Sequence, residues 1–137
     1  MNNVHFSSMT DHWSTPKGVY NELDKRFNFN DDPCPLNNND GIDGLQRSWG
    51  KSTFVNPPYS RLRDWCKKAY EESQKGKVVV MLIPSRTDTR AWHDYCMKAD
   101  EIIFIKGRLK FGNAKNSAPF PSAIIIFDGR RPHDKTG

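Results

Sequence analysis

A chain of 137 residues, 36% hydrophobic and 27% charged, fits one soluble domain with a single core and no room for a second lobe. No apolar run approaches membrane length, and the N-terminus lacks a charged-then-apolar signal pattern. The net charge of +5 is uneven, with five Lys/Arg against seven Asp/Glu in residues 1–60 and sixteen against nine in residues 61–137. Such a basic half suits a nucleic-acid partner, with an ordinary solvated surface as the plain alternative. Cys34, Cys66 and Cys96 form no C-x-x-C pair, and His5, His12, His93 and His133 show no ligand spacing, so free thiols in a reducing compartment and no metal are expected.

Residues 1–12 are polar and read as a loosely held arm. Thr15-Pro16 reads as a helix start, with Thr15 as N-cap and Pro16 at the first helical position. Val19, Leu23 and Phe27 then recur on one helical face. Phe27 to Asp31 is a short strand candidate, and residues 33–50 read as loop, anchored by Ile42, Leu45 and Trp49. Thr53 to Asn56 is a strand, and Leu62, Trp65, Cys66, Ala69 and Tyr70 mark a helix ending near Gly76. Val78 to Ile83 is a continuous apolar run, the mark of a central parallel strand, and Pro84 ends it. A helix is expected over Thr87 to Lys98, strands over Glu101 to Ile105 and Ser122 to Phe127, a strand or turn over Gly107 to Phe111, and a frayed tail from Gly129. Alternating strands and helices indicate an α/β sheet with ligands at the strands' carboxyl ends. Residues 101–127 leave no room for a crossover helix, so their strands must pair antiparallel.

Asn56-Pro57-Pro58-Tyr59 carries the most chemical information. Two prolines remove two N–H donors and stiffen the turn, and the residue before a proline is driven toward extended backbone. Asn56 therefore ends a strand and offers a carboxamide, with an aromatic ring three residues on, an arrangement that suits a planar amino group such as N6 of adenine. A Pro-rich turn is the plain alternative.

Five other stretches bear on a ligand. Asp32, at the end of the first strand, suits a ribose hydroxyl or an α-amino group, or simply an Asx-Pro turn. Thr15-Pro16 offers a hydroxyl and helix-start amides to a carboxylate, or a plain cap. Asp43 and Leu45 suit an adenine amino group and ring, or a turn. Arg108, Lys110 and Phe111 combine phosphate contact with base stacking, or form a hairpin whose Phe residues, Phe120 above all, are core. Arg86, with Arg90 nearby, suits a DNA phosphate after the central strand, or open solvent. No phosphate-binding or dinucleotide glycine motif and no G-x-S-x-G occurs.

In this order the pieces resemble the small phage-type, Dam-like DNA N6-adenine methyltransferases. The resemblance runs from about Phe6 to Phe127 and rests on Trp13-x-Thr15-Pro16, Phe29-x-x-Asp32-Pro33-Cys34, Gly44-Leu45-x-x-x-Trp49, Phe54-Val55-Asn56-Pro57-Pro58-Tyr59-Ser60, Ile83-Pro84-x-Arg86-Thr87-Asp88-Thr89, Gly107-Arg108-Leu109-x-Phe111 and Ala118-Pro119-Phe120-Pro121-Ser122. It implies a Rossmann-like class I methyltransferase sheet, mostly parallel with an antiparallel C-terminal hairpin and helices on both faces. It further implies S-adenosylmethionine as donor, DNA as partner, and the cytoplasm of a bacterial or phage-infected cell. Carried over, Asn56, Pro57, Pro58 and Tyr59 form the catalytic motif. Trp13, Thr15, Pro16, Asp32, Pro33, Asp43 and Leu45, with Asn56, hold the cofactor. The interval from Asp32 to Asn56 cannot hold two β-α units, so the sheet must be pruned at one edge, and Pro35-Leu36-Asn37 stands where larger methyltransferases have a glycine-rich turn. Cytosine N4, an RNA adenine, a glutamine side chain, a non-enzymatic DNA-binding relative and a homodimer stay open.

Overall fold

A computed structural model describes residues 14–35, 42–110 and 117–130, with Ile42 and Asp43 described by their backbone alone. The expected arm, Trp13, the Asp43 side chain, Phe111 and the tail beyond Arg130 lie outside the described residues.

Helix α1 spans Lys17–Phe27 and buries Leu23 and Phe27, with Val19 packed beside them. It starts one residue later than expected. Pro16 precedes the helix in extended backbone (φ −60°, ψ 135°) with no side-chain cap. Thr15 is therefore not the N-cap, because its hydroxyl is engaged elsewhere. Asn28 ends the helix in the left-handed region at φ 53°, and Phe29 N–H donates to the Asp24 carboxylate at 2.9 Å. That left-handed turn displaces the expected strand over 27–31, which shrinks to one parallel bridge between Asp31 and Thr53.

The expected 33–50 loop contains one helical turn, α2 (Ile42–Gln46). Strand β1 (Ser52–Val55) is buried throughout. Helix α3 (Leu62–Ser73) buries Trp65, Cys66 and Ala69, and Gly76, at φ +88°, turns the chain toward β2 (Val78–Pro84), buried at every residue. The expected helix over 87–98 divides in two. Thr89, not Thr87, caps α4 (Arg90–Asp94) by accepting the Trp92 N–H, and Tyr95 leaves helical backbone before a 3-10 turn at Cys96–Lys98. Strands β3 (Glu101–Phe104) and β4 (Ser122–Asp128) follow. Gly107 to Lys110 form no strand.

The sheet is four-stranded, in the order β1-β2-β4-β3. Among the described strands only β1 and β2 pair parallel, while β4 pairs antiparallel with both β2 and β3. A mostly parallel sheet is thus corrected to a mixed one, because β4 enters between β2 and β3 rather than folding back on the outside. Strand direction keeps more of the expectation, since β1, β2 and β3 run the same way and β4 alone opposes them.

Alternation along β2 divides the core. Val79, Met81 and Ile83 join Trp65, Cys66, Ala69, Trp92 and Cys96 on the α3/α4 face. Val78, Val80 and Leu82 join Phe54, Leu23 and Phe27 on the α1 face. Helices cover both faces, as expected, so β2 and β4 are shielded from water on either side.

One buried charge ties α3 to the sheet's amino-terminal edge. Glu72 is 1% exposed and accepts from Lys77 Nζ at 2.5 Å, Lys75 at 3.0 Å, Lys68 at 3.2 Å and the Trp49 N–H at 3.0 Å. Burial alone would raise its pKa. The three ammonium groups and the amide overcome that and hold it down at about 2.

Candidate active site

The parallel register of β1 and β2 sets where the site lies. Both strands run toward one edge of the sheet, and because Val55 pairs with Met81, Asn56 leaves β1 level with Leu82 while β2 continues to Pro84 before Ser85 follows. Because β4 runs the opposite way, its first residue pairs with the last of β2, Ser122 with Pro84. That brings the segment before β4 to the same edge, where Ser85 N–H donates to Pro121 O at 3.0 Å. Chain from three places in the sequence converges there.

Asn56, Pro57 and Pro58 are buried and Tyr59 is half-buried. Pro58 holds φ −66° and ψ 138° and leads into a 3-10 turn, Tyr59–Arg61. Two fixed φ angles leave Asn56 little backbone freedom. Its side chain is fixed as well, because Nδ2 donates to Thr15 Oγ1 at 3.0 Å across 41 positions of sequence. The Thr15 hydroxyl accepts this bond and keeps its own proton for a further partner, and the contact assigns the amide edge of Asn56 to Thr15 and its oxygen to acceptor duty. Tyr59 meets Phe120 edge to face, with ring centroids 5.2 Å apart. Phe120 is core, as expected, yet it also braces Tyr59, and the Arg86 guanidinium lies 5.9 Å from its ring centroid.

The stretch around Asp32 divides its labour. Asp31 takes Arg47 in a two-pronged pair at 2.8 and 2.9 Å and accepts the Gly50 N–H at 2.9 Å. The Arg47 pair, with the Gly50 amide, holds the Asp31 carboxyl below the ordinary range. Asp31 is structural. Asp32 makes a part-buried Asx-type turn, its carboxylate accepting the Cys34 N–H at 3.2 Å. Surrounding protein strips enough water from its carboxyl to raise the pKa, against the pull of that amide. Pro33 is buried against α2, so close that a Cβ on Gly44 would run into Pro33 O and stand 2.8 Å from the Trp65 ring. Glycine is required there, and it holds Asp32-Pro33 beside Leu45, which is packed at the edge of the α3/α4 core.

A groove of about 590 Å³ opens beside Tyr59, lined by Tyr59, Ser60, Leu62, Arg63, Arg86, Thr89, Arg90 and Ala91. Thr89 Oγ1 donates to Arg86 O at 2.8 Å and accepts the Trp92 N–H at 3.2 Å, which pins the turn carrying Arg86. Arg108 and Lys110 are exposed on either side of Leu109, whose carbonyl accepts the Ala118 N–H at 2.7 Å. The structure thus brings Asn56, Pro57, Pro58, Tyr59, Thr15 and Arg86 together, and leaves Arg108 and Lys110 on a neighbouring loop.

The model of the family described as DNA N-6-adenine-methyltransferase (Dam) matches residues 4–128, nearly the whole chain. The chain belongs to the DNA N-6-adenine-methyltransferase (Dam) family. A DNA N-6-adenine-methyltransferase of Haemophilus phage HP1 is 28% identical over 142 residues, covering 90% of this chain and 82% of that protein. One from Escherichia phage T1 is 31% identical over 113 residues, covering 74% of this chain and 48% of that protein.

Within this Dam family member, sequence reasoning missed two features. The pairing of Thr15 with Asn56 has no local signal, because the two meet only after β1 is seated. The place of Arg63 in the groove carried a weak one, since Arg63 stands one helical turn after Tyr59.

Proposed function

We propose that the protein transfers a methyl group from S-adenosylmethionine to N6 of an adenine turned out of the DNA duplex, with Asn56-Pro57-Pro58-Tyr59 as the catalytic turn on a Rossmann-like sheet pruned at one edge. Family membership gives the reaction, methylation of adenine N6 in DNA. The observation that carries the residue assignment is the Asn56 carboxamide, buried at the carboxyl end of β1 and oriented by Thr15.

The N6 lone pair of adenine is delocalised into the ring and is a weak nucleophile. In this reading the Asn56 side-chain oxygen and the Pro57 carbonyl each accept one N6 hydrogen. That draws the nitrogen toward tetrahedral geometry and returns its lone pair for attack. Tyr59 stacks on the extruded base, a contact worth ~1–3 kcal/mol, and Phe120 at its edge keeps the ring in place. The methylated amine is strongly acidic and loses its proton to water, so no His or Glu is needed beside Asn56. Much of the acceleration comes from holding the nitrogen in line with the methyl group.

The residues at this edge fit S-adenosylmethionine, which supplies an electrophilic methyl group on a sulfonium. Asp32 retains acceptor capacity beyond its one amide bond. Leu45 and Pro33 offer apolar contact for a ring. The first turn of α1 carries no acidic residue and no side-chain cap, so its amides suit the cofactor's carboxylate. Trp13 and Asp43 belong to the same proposed set.

The test is Asn56→Ala. Methyl transfer to duplex DNA, followed with tritiated S-adenosylmethionine, is expected to fall by at least about 100-fold, the scale of losing one transition-state hydrogen-bond partner. Cofactor affinity should stay within a few-fold of wild type. Retained transfer would remove the carboxamide from the mechanism.

A further inference from the structure

The groove beside Tyr59 has more positive charge than the methyl-transfer chemistry requires. Adenine is neutral and the donor is itself a net cation, yet three arginines, and no acidic residue, line the groove among the described residues. Leu62 and Ala91 add apolar wall between them. A row of cations with apolar surface between suits a sugar–phosphate backbone.

Two of these arginines, Arg86 and Arg63, are also held in place. Arg86 rests over Phe120, on a turn closed by Thr89 and by the Ser85–Pro121 bond. Arg63 lies over the Tyr95 ring at 5.5 Å and pairs with Asp94 Oδ2 at 3.1 Å. Asp94 is not among the groove-lining residues, so it pairs with Arg63 from outside the groove. A carboxylate in that position competes for the same guanidinium donors that a phosphate would take.

We propose that this groove seats the phosphodiester backbone of the target strand next to the extruded adenine. Arg86 and Arg90 contact phosphates directly, and Arg63 exchanges Asp94 for a phosphate when DNA arrives. The inference rests on the DNA-methylation reading and extends it to residues on α3 and α4. Asp94 then tunes affinity, because DNA must displace it.

The experiment measures binding of the full chain to a fluorescent DNA duplex between 50 and 200 mM salt, for wild type, Arg63→Ala, Arg90→Ala, the double variant and Asp94→Asn. Cofactor affinity, read in parallel, reports whether each variant is folded. Arg63→Ala and Arg90→Ala are each expected to weaken binding about fivefold and to lower the slope of log K against log salt by about 0.9, the loss of one phosphate contact. Asp94→Asn is expected to tighten binding about threefold, since the competitor is gone while the donors remain. A purely structural Arg63–Asp94 pair predicts the opposite for Asp94→Asn, with weaker or unchanged binding. A double variant that keeps cofactor affinity and shows wild-type DNA affinity and slope overturns the proposal. If wild type binds DNA through these arginines yet transfers no methyl group, the methylation reading fails and the groove stands. If wild type methylates DNA while the variants keep its salt slope, the groove alone fails.

Discussion

Thr15 has the clearest single-residue consequence. Its hydroxyl holds the Asn56 amide at 3.0 Å, so in the proposed mechanism it acts through Asn56, as a positioning residue. Removing the hydroxyl frees the carboxamide to rotate and lets nitrogen take the oxygen's place. A net hydrogen bond of about 1.4 kcal/mol corresponds to tenfold. Thr15→Val is therefore expected to lower kcat by about tenfold and leave cofactor Kd and Tm nearly unchanged, while Thr15→Ser restores kcat. Loss of cofactor affinity with kcat intact would return Thr15 to the cofactor site. Asn56 could be singled out from sequence because a strand followed by two prolines has few conformations. Thr15 could not be given this role, because its partner lies far along the chain and a Thr before a Pro reads most simply as a helix cap.

Among the elements, α3 illustrates both what a sequence shows and what it hides. Its apolar face was legible, since Trp65, Cys66 and Ala69 recur at helical spacing and are all fully buried. Glu72 reads as one more solvated charge until the loop through Trp49 folds over it and delivers the amide, while Lys77 reaches back from the turn before β2. Its pKa of about 2 lies below the ordinary 4.5. A depressed carboxyl contributes stability that is complete above the unfolded pKa and lost as pH falls from about 4.5 toward 2. A shift of that size corresponds to roughly 3 kcal/mol. Urea denaturation should show Glu72→Gln destabilised by about that amount at pH 7, with the gap to wild type closing as pH drops through this window. An undiminished gap at pH 2.5 would mean that Glu72 acts by packing rather than charge. The α4 region was misjudged for a related reason. Thr87 and Thr89 are both good caps, and only the bond from Trp92 decides between them.

For the whole molecule, most of the element order could be read in advance, because Val78–Ile83 is an unbroken apolar strand and the helices around it have clear apolar faces. The place of β4 could not. Insertion between β2 and β3 depends on contacts between distant residues, and the pattern of a buried strand is the same wherever it pairs. The cofactor side was the least legible part, since Gly44 explains itself only through its approach to Pro33. Binding there is expected to act on the entire fold. A ligand specific for the native state, at 100 times its Kd, adds about 2.7 kcal/mol, and S-adenosylmethionine at that excess should raise Tm by about 10 °C for a chain of this size. An unchanged Tm with saturating cofactor would favour a DNA-binding relative without catalysis.

The direction of β4 has a practical result for anyone handling the protein. The strand starts beside Pro84 and finishes opposite Val78, so Asp128 leaves the sheet at the far side from Asn56. Thr15, by contrast, touches Asn56 of the proposed catalytic turn. A fluorophore placed on Asp128 would therefore sit across the sheet from Asn56, whereas one placed on Thr15 would stand against the turn proposed to receive the nucleotide.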